Sequence, residues 1–282
     1  MSVGVFLAVI GAAILHAGWN ALVKGGADKR VAMAGIVLGG IPFAAAAILV
    51  APLPARESWP LLAGSVTLHL GYQWFLMASY RIGDLTQVYP LARGSAPLIV
   101  AGVSVAFLGV TLAPVELAGI VVIAAGILSL ALARRADGLP QGRAALFALA
   151  TGGFIAAYSL VDGMGARLAG TSLGFYGWAA LLNGLILALW LAVTSRGTLR
   201  AATGPKLKLS LAGGGASFAA YAIVTWAFTQ APIALVTALR ETSIVAALLI
   251  GVFLLGERLS LARAASIMTT LIGVALLRLA RP

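Results

Sequence analysis

The twenty residues from Pro114 to Ala133, PVELAGIVVIAAGILSLALA, carry a single charge, Glu116. About 20 apolar residues, at ~1.5 Å of helix rise each, match the ~30 Å hydrocarbon core of a bilayer. The run is about twice as long as a membrane strand needs, and it lacks the in–out alternation of a barrel. Nine further runs of this kind fill the chain: 3–23, 31–50, 60–80, 86–108, 144–162, 172–193, 209–230, 233–255 and 261–279. Of the 282 residues, 61% are hydrophobic and 10% charged, against ~25% charged in soluble domains. The expected fold is an all-α integral membrane protein of ten transmembrane helices. A soluble enzyme is excluded.

The net charge of +11 does not signal nucleic acid, because the basic residues stand between apolar runs rather than along one face. They read as topology signals and contacts for the lipid bilayer. Cysteine is absent, so no disulfide, thiol nucleophile or cysteine metal site is expected. The first run begins at Val3 with no Lys or Arg ahead of it and is too long for a signal-peptide core, so a retained helix is expected.

The second half of the chain echoes the first. An offset of 149 matches Gly64 to Gly213 and Tyr72 to Tyr221, and an offset of 147 matches Arg93 to Arg240 and Gly126 to Gly273. Residues 1–138 and 139–282 are therefore expected to form two five-helix repeats within one membrane domain. Five is odd, so the repeats must lie inverted. Charge agrees: by alternate loops, thirteen Lys and Arg fall on one side and four on the other (Arg56, Arg167, Arg278 and Arg281). The positive-inside rule places the thirteen in the cytoplasm.

Inverted repeats are a recurring architecture of secondary transporters, in which a site between the halves opens alternately to either side. Leu254-Leu255-Gly256-Glu257-Arg258-Leu259, with Ala227 to Pro232 ahead of the ninth run, resembles the EamA branch of the drug/metabolite transporter superfamily. The first repeat departs from that motif, reading Leu108-Gly109-Val110-Thr111-Leu112 with no acid. The resemblance implies transport of a metabolite or drug, often export, and leaves the cargo open. Glu257 and Arg258 read as cap and anchor of the ninth helix rather than as substrate ligands.

Ionisable residues deep in a span cost about 2.5–3.5 kcal/mol and mark a functional interior. Arg93 and Arg240 stand at equivalent depths, about eight residues into the fourth and ninth runs. Two guanidinium forks facing each other suit a carboxylate, phosphate or phosphonate. Glu241 either offsets one of these charges, pairs structurally with Arg93, or meets a substrate ammonium. His16 and Asn20 share a helix face, with Trp19 on an adjoining strip, and His69 and Gln73 repeat that spacing with Tyr72 beside them. These residues read either as a cavity wall or as hydrogen-bonded helix–helix glue. Tyr221 is a further candidate for substrate binding, and Tyr158, Trp226 and Asn183 are weaker ones. His69 maps onto Phe218, so one half would carry polar recognition and the other apolar packing. Asp162 and Lys24 read as solvated helix ends. Pro90 and Pro97 are expected to break the fourth helix on either side of Arg93, while Gly35, Gly39 and Gly213 to Gly215 read as close-packing positions.

No HExxH metal motif and no phosphate-cradling loop is present, so neither a metal, a cofactor nor direct ATP use is expected. The expected function is alternating-access transport of a small anionic or zwitterionic metabolite: an amino acid, organic acid or organophosphonate. Alternatives are carriage of lipophilic or cationic drugs, a channel, or an intramembrane enzyme. Glu241 or a histidine is the candidate for a coupled proton. A monomer or homodimer in a bacterial inner membrane is expected.

Overall fold

Inside hydrocarbon a chain segment must satisfy its own backbone hydrogen bonds, which a helix does within one segment. The computed structural model, which describes residues 1–24, 28–82, 85–133, 142–204, 206–253 and 260–280, is helical throughout, with no strand among those residues. The helices are α1 (Val3–Lys24), α2 (Lys29–Val50), α3 (Trp59–Ile82), α4 (Leu85–Phe107), α5 (Pro114–Ala133) and α6 (Gly142–Leu168). They continue with α7 (Ser172–Thr194), α8 (Arg196–Thr203), α9 (Leu207–Gln230), α10 (Ile233–Arg240), α11 (Ser243–Phe253) and α12 (Leu261–Leu279). The expected repeat boundary at 138/139 and the segment 254–259 lie outside the described residues.

Among the described residues, eight stretches are long and apolar enough to cross a membrane, with α10 and α11 counted together as Ile233–Phe253. Neither α5 nor α3, which carries His69 and Gln73, is among the eight. Leu49, Leu53, Phe107, Val193 and Leu261 are exposed on the outer surface. A surface this apolar belongs against lipid. The chain has the architecture of an all-α integral membrane protein.

Three features differ from the sequence reading. The ninth run is two helices. Backbone N–H groups of Glu241 and Thr242 bond to the carbonyls of Ala238 and Leu239, three residues back rather than four, and the Thr242 hydroxyl also bonds to the Leu239 carbonyl at 2.7 Å. This tightened turn, contested by a side chain, ends α10 at Arg240. By contrast α4 runs unbroken through Pro90 and Pro97, since neighbouring helices re-satisfy what a membrane proline frees. And α6 continues six residues past the expected end at 162, which puts Asp162 inside a helix.

In the packing, α3 and α4 lie on α6, α1 lies on α9 and α11, α2 fits between α7 and α9, and α5 pairs with α12. The α2–α9 crossing is a backbone contact: a Cβ on Gly39 would overlap the Ser210 carbonyl, and one on Gly214 would overlap the backbone at Gly39 and Gly40. Every residue of α10 is buried. Its Leu235 and Leu239 form one buried cluster with Phe228, Val9 and Ile123.

Candidate functional site

Breaking the ninth run at mid-depth has an electrostatic consequence. It brings Arg240 and Glu241 to the bundle centre, where α4 presents Arg93. The three are 3%, 0% and 2% exposed respectively. The Arg93 Nε pairs with a Glu241 carboxylate oxygen. The Arg93 fork also reaches the Ser243 hydroxyl at 2.9 Å and the His16 Nε2 at 3.3 Å. Arg240 makes a long 3.4 Å contact with Glu241, and its Nε has no partner among the described residues. Its guanidinium carbon lies 5.7 Å from the ring centroids of both Tyr158 and Tyr221. Aromatic faces stabilise a desolvated cation while leaving its N–H donors uncommitted.

Those donors border a cavity of about 150 Å³. Arg93 and Arg240 line it together with His16, Trp19, His69, Tyr72, Gln73, Tyr158 and Tyr221, so nine of the eleven residues singled out in the sequence meet at one space. Asn20 does not line it: its amide donates to the His16 carbonyl at 2.9 Å, within its own helix. Sharing a helix face with His16 was insufficient, because a short amide bonds to its own preceding turn. Glu241 does not line the wall either; it lies behind the two arginines as their common counter-ion.

Further lining residues include Asn183, Tyr176, Ser217 and Phe218. Gln73 donates to the Asn183 Oδ1 at 2.9 Å, tying α3 to α7. The Asn183 Nδ2 and the Trp19 Nε1 are buried without a partner among the described residues. With Arg240, three lining residues thus hold unspent donors. Buried donors left unpaired cost about 1–3 kcal/mol each, a cost that an acceptor-rich guest relieves. Trp226, by contrast, is 40% exposed and lies outside the lining.

Asp162, read as a solvated end, is 1% exposed. One carboxylate oxygen accepts from the Tyr221 hydroxyl at 2.6 Å and lies 2.9 Å from the His69 Nε2. His69 stacks on Tyr158 with centroids 4.2 Å apart, and Tyr72 meets Tyr158 edge-on at 5.6 Å. Sequence reasoning missed Tyr176, whose ring packs on Tyr221 and Phe218. Near a helix start, a tyrosine is ordinarily read as an interface anchor.

A second, apolar cavity of about 310 Å³ adjoins the first and shares Met33, Val37 and Gln73 with it. It runs between α2, α3 and α7 toward exposed Arg30 and the start of α8. At the other end of the bundle, Pro232 has no N–H to give the Phe228 carbonyl four residues back. The Arg167 Nε fills that position at 2.8 Å, and its fork also reaches the Ala231 carbonyl at 2.8 Å.

No protein-family model and no curated protein matches the chain. Solved structures do. One, described only as a crystal structure of a protein, is 19% identical and superposes with a TM-score of 0.73, over 98% of this chain and 95% of the other. At that identity the likeness is one of fold alone.

Proposed function

We propose that the chain is a secondary transporter of a small anionic or zwitterionic metabolite: an amino acid, an organic acid or an organophosphonate. The observation that carries this reading is the donor excess of the central cavity, where Arg240, Trp19 and Asn183 hold donors that no atom of the described residues uses. A carboxylate or phosphonate offers the acceptors, and Arg240 the charge. Such an arrangement at mid-depth, beside a discontinuous helix, is typical of carriers.

Alternating access of two inverted halves is part of the reading. If α1 to α5 correspond in order to α6, α7, α9, α10–α11 and α12, the helix contacts largely exchange under that correspondence. Contact α3–α6 becomes α9–α1, α4–α6 becomes α10/α11–α1, and α5–α12 and α2–α7 map onto themselves. Two large pairs do not balance. Helix α4 packs closely on α5, whereas among the described residues α10–α11 touch α12 little. Helices α2 and α9 pack extensively, whereas their counterparts α7 and α3 touch much less, and the apolar cavity lies on that α3–α7 side. One closed and one open gate is what a carrier caught facing one side should have. Kinship with the EamA branch, a bacterial inner-membrane location and a carrier rather than enzymatic role belong to the same proposal.

The test is exchange. Purified protein in liposomes loaded with a pooled metabolite mixture is read by mass spectrometry. Selective exchange of carboxylates or phosphonates, absent from protein-free liposomes, is the expected result. Exchange of lipophilic cations alone would keep the carrier and overturn the anion site.

A further inference from the structure

The anion site as proposed has no use for Asp162, yet this carboxylate sits 1% exposed within α6, six residues before its end. A buried carboxylate is costly unless it is paired and hydrogen-bonded. Among the described residues only one of its oxygens is provided for, by Tyr221 and His69; the other, Oδ1, has no partner there. The pair is also accessible from the cavity. His69 is 20% exposed and lines the wall, so water reaching the cavity reaches its imidazole.

Two aromatic rings join this pair to the arginine. Tyr221 donates its hydroxyl to Asp162 and lays its ring 5.7 Å from the Arg240 guanidinium carbon. Tyr158 stacks on His69 and lies at the same 5.7 Å from Arg240. The remaining titratable groups that face the pair are Tyr72 on α3 itself and Tyr176 on α7. Beyond the rings stand Arg93 on α4, His16 on α1 and the shared Glu241.

We propose that His69, Asp162 and Tyr221 form a proton-binding site that couples one proton to each anion carried at Arg240. The inference rests on the transport reading and names its energy source. With both carboxylates ionised and both histidines neutral, Arg93 and Arg240 balance Glu241 and Asp162. A monoanion entering this poorly screened space leaves one negative charge uncompensated. One proton taken from the loading side onto the His69–Asp162 pair restores neutrality. When the anion leaves on the other side, the proton leaves with it and the pair returns to its starting state. The proton belongs to the pair as a unit, carried on the imidazole nitrogen turned away from Asp162 or on Oδ1. A wholly structural His–Asp contact would need neither the cavity exposure nor the bare oxygen.

The full chain is reconstituted in phosphatidylethanolamine–phosphatidylglycerol liposomes and given L-alanine, L-aspartate and methylphosphonate under an imposed pH gradient. For a transported monoanion, one proton each predicts accumulation on the alkaline side of about tenfold per unit of gradient. Asp162→Asn should abolish accumulation while leaving exchange of the same solute at equal pH. His69→Gln, which keeps a donor for Asp162, is the second variant and should likewise abolish accumulation. Exchange by the native chain that ignores the gradient overturns the proposal and leaves the transporter standing, as does full accumulation by either variant. If no solute moves, the transport reading fails, and the proton site is judged separately. The chain has two histidines, so nitrogen-15 histidine spectra contain one imidazole that His69→Gln removes. Titration of that imidazole between about pH 5 and about pH 9 should shift on Asp162→Asn. An unmoved titration removes the proton site as well.

Discussion

Arg93 and Glu241 form an ion pair that joins α4 to the break between α10 and α11, with side chains 3% and 0% exposed. Removing one partner of such a pair leaves a bare charge, at a cost of about 3–5 kcal/mol. Arg93→Gln and Glu241→Gln should each lower the melting temperature in detergent sharply, and the double variant should recover much of the loss. A double-mutant cycle that gives no coupling between the two positions would contradict the pair's structural role.

Arg240 is expected to behave differently. Glu241 keeps Arg93 as its partner when Arg240 is lost, so Arg240→Gln should fold with a near-native melting temperature. Two charged hydrogen bonds to the transported anion, at about 1.5–3 kcal/mol each, set the scale. Uptake should fall by about a hundredfold, with Arg240→Lys in between because an ammonium cannot present a planar fork. Normal uptake by Arg240→Gln would end the anion-site reading.

Arg167 stands where Pro232 leaves the Phe228 carbonyl without a backbone donor. Arg167→Met should therefore cost about 1–3 kcal/mol, read as a lower melting temperature. Arg167→Lys offers one ammonium to two carbonyls and should lie between. The same substitutions test whether this contact holds the α6 end of the bundle closed. If it does, a cysteine placed at Trp226→Cys should become more reactive in Arg167→Met.

The weak α3–α7 contact can be measured directly, because the chain contains no native cysteine. Trp74→Cys and Leu187→Cys place thiols on opposite walls of the apolar cavity. A short bifunctional thiol reagent should join them poorly in the resting protein and faster when a transported solute drives the cycle. It should also stop transport. Rapid cross-linking without solute would show that this gate rests closed.

How far these features can be read from sequence depends on what fixes each one. The apolar runs are legible because bilayer thickness fixes their length, and Arg93 and Arg240 because charge at that depth is expensive. The break at Glu241 is not, since Glu241 and Thr242 sit inside a continuous apolar run with no Gly or Pro to mark a stop. Only the tertiary placement of Arg93 makes the interruption favourable. Asp162 was obscured by Gly163 and Gly165, which read as a helix end. They are helical because α6 packs there against Ile233 and the Phe175 ring. Short α8 hides in a connection whose Gly197, Gly204 and Pro205 read as a loop.

The unlike forms of α4, continuous, and α10–α11, interrupted, bear on kinetics. A joint at Glu241 lets the inner and outer portions of that helix turn separately, whereas α4 moves as one rod. In a carrier built this way, opening toward one face and opening toward the other are different motions with different barriers. Michaelis constants measured from the two sides of the membrane should then be unequal even without a driving gradient. Maximal rates must differ by the same factor, because a passive carrier cannot create a net flow at equilibrium.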